Sequence, residues 1–170
     1  VHPTVCKLLG TSHEPTKALM REARAVPGVV KVHIASGIRM GLARKDPEYL
    51  DELAAHHVGG HLKVAPEHVS ERVLARMKKP GIEAFEEFAE RFEAASRRAG
   101  KEQFLVPYFI ASHPGSTVED MIELAIFLKQ RGYRPRQVQD FIPAPMDLAT
   151  CMYWTGLDPF SMKPVETARK

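Results

Sequence analysis

A chain of 170 residues with 44% hydrophobic and 26% charged residues has enough apolar content to bury a core of its own, and its composition is not that of a disordered segment. The formal net charge of +3 comes from both signs mixed along helix faces, with no basic run interleaved with aromatics, so charge alone gives no nucleic-acid footprint. No apolar run approaches the roughly 20 residues that span a bilayer, and two cysteines 145 positions apart make neither a disulfide framework nor a metal site by themselves. The expectation is a soluble, cytoplasmic protein with no membrane segment.

In chain order, Ser12 predicts a cap for a helix starting near Glu14 and Pro15, with Leu19, Met20 and Ala23 on one face and Gly28 beyond its end. Residues 30–35 alternate apolar and polar, the period of a strand, which places Ser36 and Arg39 at its carboxyl end. Asp46 followed by Pro47 predicts a second helix, whose stripe of Leu50, Leu53, Ala54 and His57 leads to Val58-Gly59-Gly60. A strand over 61–65 then runs into Pro66, Glu67 and His68, and a short helix carrying Val73, Leu74 and Met77 ends at Lys79-Pro80-Gly81. The next helix presents Ile82, Phe85, Phe88, Ala89, Phe92 and Ala95 and stops at Gly100.

Residues 104–110 form a nearly continuous apolar run, as in a parallel strand covered on both faces, but Pro107 in its middle predicts a bulge or lost pairing. Ser116 and Glu119 have the spacing of a capping box for a helix with Met121, Leu124, Ala125 and Leu128 inside, closed by Gly132. A last strand is predicted over 137–142, ended by Pro143 and Pro145. The order β-α-β-α-α-β-α-β, with roughly 30 to 43 residues per unit, suits right-handed crossovers. The fold class is α/β: an open parallel sheet of about four strands flanked by helices, or part of a (β/α) TIM-like barrel, since a closed barrel takes about 250 residues. Residues 1–150 are expected to form this unit and 151–170 a C-terminal tail.

Ligands sit at the carboxyl ends of parallel strands, so the polar groups following the second and third predicted strands draw attention. Lys63 and Glu67 at a strand end can bind a carboxylate and an ammonium or ribose hydroxyl, respectively, and Lys79 can reach the same loop. The loop from His113 to Thr117 enters a helix N-terminus but has no P-loop spacing. His56, His57, His61 and His68 lack any zinc-protease spacing and straddle a helix end and a strand start, so no metal ligand is assigned. No residue receives a catalytic role from these patterns. A non-enzymatic nucleotide-binding or interaction module and a histidine-dependent metal hydrolase or aldolase stay open as alternatives.

Taken together, Ile34-Ala-Ser-Gly-Ile-Arg39, His56-His-Val-Gly-Gly60, Leu62-Lys-Val-Ala-Pro-Glu-His68, Met77-Lys-Lys-Pro-Gly81, Gly100-Lys-Glu-Gln103, Pro107-Tyr-Phe-Ile110, His113-Pro-Gly115 and Gln137-Val-Gln-Asp-Phe-Ile-Pro143 resemble the YgiQ-type radical SAM proteins. The resemblance runs over nearly the whole chain. It implies about the last four strands of a partial (β/α)6 barrel that binds S-adenosylmethionine. A [4Fe-4S] cluster, an electron donor such as flavodoxin or ferredoxin, and a 5′-deoxyadenosyl radical acting on an unknown substrate are implied with it. The Cys-x3-Cys-x2-Cys loop that holds the cluster is not in these residues, so the isolated chain is expected to be inactive. By position the resemblance implies cofactor contacts from Ser36, Arg39, Lys63, Glu67, His68, Lys79, Tyr108, Ala111, Ser112 and Phe141, with Lys79 where relatives carry an arginine and Ser112 where they carry a glycine.

Overall fold

The computed structural model describes residues 6–135 and 138–168. The elements are α1 (Glu14–Ala25), α2 (Met40–Ala43), α3 (Pro47–Glu52), which continues into a π-helical turn (Leu53–His57), β1 (His61–Glu67), α4 (Glu71–Arg76), α5 (Glu83–Arg98), β2 (Phe104–Ala111), α6 (Val118–Gln130), β3 (Gln139–Asp140) and α7 (Leu148–Thr155). The strands form an open three-stranded sheet in the order β1-β2-β3, and β2 pairs with β3 in parallel, Ile110 opposite Gln139 and Ala111 opposite Asp140. This is the open parallel sheet flanked by helices that the sequence predicts, and it is not a closed barrel.

Two compact units divide the described residues, the first running to Ala65 and taking in Glu83–Pro107, the second comprising Pro66–Ile82 and the chain from Tyr108 onward. In both long strands the division falls beside a proline, Pro66 in β1 and Pro107 in β2.

The first unit follows its apolar stripes. Phe85, Phe88, Phe92 and Ala95 recur every three or four residues along α5 and are buried, as are Leu50, Leu53 and Ala54 and, alternating along β1, Leu62 and Val64. Asp46 caps α3 as expected, accepting from the Tyr49 N–H at 3.0 Å. Helix α1 departs from expectation. Its cap position is His13, although the Ser12 hydroxyl accepts from the Glu14 N–H at 3.2 Å. Leu19 is exposed, and the buried positions are Met20 and Lys17. A buried ammonium requires partners, and Lys17 has them in Glu14 and Glu48, the latter at 2.8 Å.

Residues 30–35 form no strand. Val30 is 90% exposed, and the segment is held by the Ile34 N–H donating to the His57 carbonyl at 3.0 Å and by His57 Nδ1 at 2.7 Å from the Val32 carbonyl. Alternation describes a half-buried ladder, and this segment has no ladder among the described residues, so the sheet has three strands.

In the second unit Val69, Phe109 and Leu124 form the core, with Ile82, Met121, Phe127 and Leu128 packed against it. Pro107 is buried within β2, which continues through it without interruption. The predicted last strand shortens to Gln139–Asp140, and Gln137 lies outside the described residues. Helix α6 starts one residue later than predicted, with Thr117 as cap and Asp120, in place of Glu119, closing the capping box. Helix α7 was not anticipated; Asp147 caps it, accepting from the Ala149 N–H at 3.0 Å, and Gly156 ends it in the left-handed conformation.

Candidate functional site

The second unit gathers polar groups where β1 and β2 stop. Glu67, the last residue of β1, has φ 71°, and Ser112, just past β2, has φ 60°. Left-handed backbone in non-glycine residues is costly and concentrates where function over-determines the conformation. The Glu67 carboxylate accepts from Lys79 Nζ at 2.9 Å.

A helix terminus delivers that lysine. After α4, Lys78 takes φ 55°, its N–H donates to Ala75 O at 3.2 Å, and the Lys79 N–H donates to Leu74 O at 2.9 Å. These are the two bonds of a Schellman turn with lysine at the usual glycine position. The turn fixes the stem of Lys79 and leaves its ammonium to meet Glu67.

A cavity of about 290 Å³ opens beside the pair, with Glu67, Lys79, Ile110, His113, Asp140 and Phe141 among its walls. The His113 ring meets the Phe141 ring edge-on at 5.5 Å, and the Phe141 N–H donates to Ala111 O at 2.9 Å, extending the β2–β3 ladder. Burial lowers the pKa of His113, so it is neutral at pH 7. The walls thus combine paired charges with apolar and aromatic surface, which suits a ligand with a zwitterionic end and a flat apolar end.

Of the residues singled out from the sequence, Glu67, Lys79 and Phe141 line the cavity. Ala111 and Ser112 sit between the lining residues Ile110 and His113. Tyr108 is half-buried two residues upstream and is not among the lining residues. His68 is fully buried: its Nδ1 accepts from the Ser70 N–H at 3.0 Å, which places the ring hydrogen on Nε2. Ser36, Arg39 and Lys63 belong to the first unit. There a Cβ at Gly37 would lie 3.4 Å from the Lys63 carbonyl oxygen, so the Ser36-Gly37 backbone passes close to β1, and the Arg39 carbonyl accepts from Leu42 and Ala43 at the start of α2. Asp140, Asp147 and Arg76 also line the cavity and were missed; the cap signature of Asp147 before a helix ending at Gly156 is the signal that could have found one of them.

The remaining histidines diverge. The His56 and His57 rings stand 6.1 Å apart at 69°, and His61 packs near Phe104. Among the described residues no three His, Cys, Asp or Glu side chains converge, and no helix is long and apolar enough to cross a membrane.

An α/β sheet segment with a charged cleft at its strand ends is the class this geometry defines. Residues 136–170 match the family described as "Domain of unknown function (DUF3362)". The chain is 54% identical over 166 residues to a UPF0313 protein of Shewanella oneidensis, 50% identical over 169 residues to one of Methanosarcina mazei, and 50% identical over 161 residues to the UPF0313 protein YgiQ of Escherichia coli. These alignments cover 98%, 99% and 95% of the chain and 21%, 27% and 22% of the respective relatives. Over nearly its whole length the chain is thus similar to UPF0313 proteins, YgiQ among them, and it spans about a fifth to a quarter of the length of these relatives.

Proposed function

We propose that the chain forms part of the S-adenosylmethionine-binding and substrate cleft of a radical SAM enzyme whose [4Fe-4S] cluster is held by residues outside it. The observation carrying this reading is the Glu67–Lys79 pair, 2.9 Å apart at the end of β1, beside an aromatic-walled cavity. The residues fit the cofactor's chemistry. Glu67 can take an ammonium and Lys79 a carboxylate, so an amino-acid end can exchange with the existing pair without leaving either charge unmatched. Phe141 and Ile110 offer the apolar surface a purine ring requires.

When bound, the cluster and the sulfonium supply the electron transfer and radical chemistry. The role of this chain is to bind, to orient and to exclude water. His113, neutral and buried, gives the wall beside Phe141 no competing charge. The protein is proposed to act in the cytoplasm with a flavodoxin- or ferredoxin-like reductant.

Anaerobic reduction of the full-length protein with S-adenosylmethionine present tests the activity. Formation of 5′-deoxyadenosine is expected, and its absence from a cluster-loaded sample counts against the reading.

A further inference from the structure

The cations lining the cavity, which also carries Asp140 and Asp147, are unequally matched. Lys79 has Glu67, but Arg76 and Lys78, which also line it, have no ion pair among the described residues. Lys78 Nζ lies 4.0 Å from the centre of the Phe160 ring. Arg76 Nη1 reaches only carbonyl oxygens, Arg72 O at 3.4 Å and Gly115 O at 3.5 Å, both at the long limit of a hydrogen bond, and its Nε is buried without a partner. An unpaired buried guanidinium N–H is costly. The nearby Asp158 does not answer it: its carboxylate accepts from the Phe160 and Ser161 N–H groups at 2.8 and 3.2 Å. Those bonds first, and the fields of Arg76 and Lys78 after them, hold Asp158 below the usual carboxylate range.

Gly115 makes room for this arginine. At φ 82° its absent Cβ would lie 2.7 Å from Arg76 Cδ and Nε, so any side chain at 115 would displace the guanidinium. The Gly115 N–H is itself tied to Glu166 O at 2.6 Å, which fixes the turn.

We propose that Arg76 and Lys78 form an anion-receiving corner of the cavity that takes a carboxylate or phosphate group of a bound reactant. The outer N–H groups of the guanidinium donate to the anion, and Lys78 adds a second positive charge at the rim. This corner is distinct from the Glu67–Lys79 pair and stands whether or not the cavity also holds S-adenosylmethionine.

Thermal unfolding of the full-length protein, followed as inorganic phosphate is added at constant ionic strength, tests the corner. The wild type is expected to show saturable stabilisation. In Arg76→Gln and Gly115→Ala the apparent phosphate affinity should fall about tenfold or more, and Arg76→Lys should recover part of it. Unfolding midpoints without phosphate show which variants keep their fold. Stabilisation that does not saturate, or that is equal in the wild type and a folded Arg76→Gln, overturns the proposal.

Repeating the titration with S-adenosylmethionine assigns the anion. Independent binding would mean that the anion belongs to a second reactant, with the carboxylate of S-adenosylmethionine on Lys79, whereas mutual exclusion would move that carboxylate from Lys79 to this corner. A wild type that binds phosphate saturably but no S-adenosylmethionine removes the function proposed above and leaves this corner standing.

Discussion

Ser70 Oγ donates to Asp120 Oδ1 at 2.7 Å, joining the N-terminal end of α4 to that of α6 across 50 positions of sequence, with both residues buried. Burial raises the pKa of Asp120, but the hydrogen bonds from Ser70 and Thr117 and the charge of Arg72 outweigh it and hold the carboxyl below its usual value. A carboxylate with a depressed folded pKa stabilises above its unfolded value and loses that contribution as pH falls through the folded one. Ser70→Ala should cost about 1–3 kcal/mol at neutral pH. It should also flatten the loss of stability below about pH 4, as measured by denaturant unfolding across that range.

The same carboxylate explains a misplaced helix start. Ser116 and Glu119 satisfy the capping-box pattern as well as Thr117 and Asp120 do, so sequence spacing could not choose between them. Tertiary partners decide. Only Asp120 meets Ser70 and Arg72, and only from there can it also accept from the Thr117 N–H at 2.7 Å.

Two buried histidines predict a second pH window. Burial lowers the pKa of His68 and of His113, the former fully inaccessible and the latter nearly so. A buried base with a lowered folded pKa leaves the unfolded chain binding the proton more readily, so stability is retained above the unfolded value and lost as pH falls below it. Unfolding free energy should therefore decline from about pH 6.5 downward. His113→Leu should remove part of that slope; an unchanged slope in the variant would exclude His113 as its source.

Ser112 occupies the conformation for which glycine is the default, at φ 60°. Ser112→Gly should stabilise the protein by up to about 1 kcal/mol, and Ser112→Val should destabilise it by more than that. Equal stabilities for all three side chains, by denaturant unfolding, would show that the conformation carries no strain.

Phe109 is fully buried between Val69 and Leu124 in the second unit. Phe109→Ala should cost about 3–5 kcal/mol. Measured by the same unfolding experiment, a loss below about 1 kcal/mol would mean that this cluster is not the core of the unit.

Much of the fold was legible because apolar periodicity is a local signal. The stripe of α5, the run of β2 and the Asp46-Pro47 start of α3 all stand where spacing puts them. Residues 30–35 show the limit: alternation specifies a face to bury, but a strand also needs a neighbour to bond, and Val30 is left in solvent. Lys17 failed the pattern for the opposite reason, since a lysine enters the interior only where Glu14 and Glu48 meet it. A strand end pointed to Lys63 and Glu67, of which only Glu67 lines the cavity, and the end of α4 pointed to Lys79; Arg76, Asp140 and Asp147 reach the cavity from a helix terminus, an edge strand and a helix cap that nothing local connects.

Equilibrium binding of S-adenosylmethionine to the full-length, anaerobically purified protein tests the central claim most directly, with Glu67→Gln and Lys79→Ala as variants. The account predicts saturable binding in the wild type, weakened about tenfold to a hundredfold in each variant. No binding by the wild type, or equal affinity in all three, would contradict it.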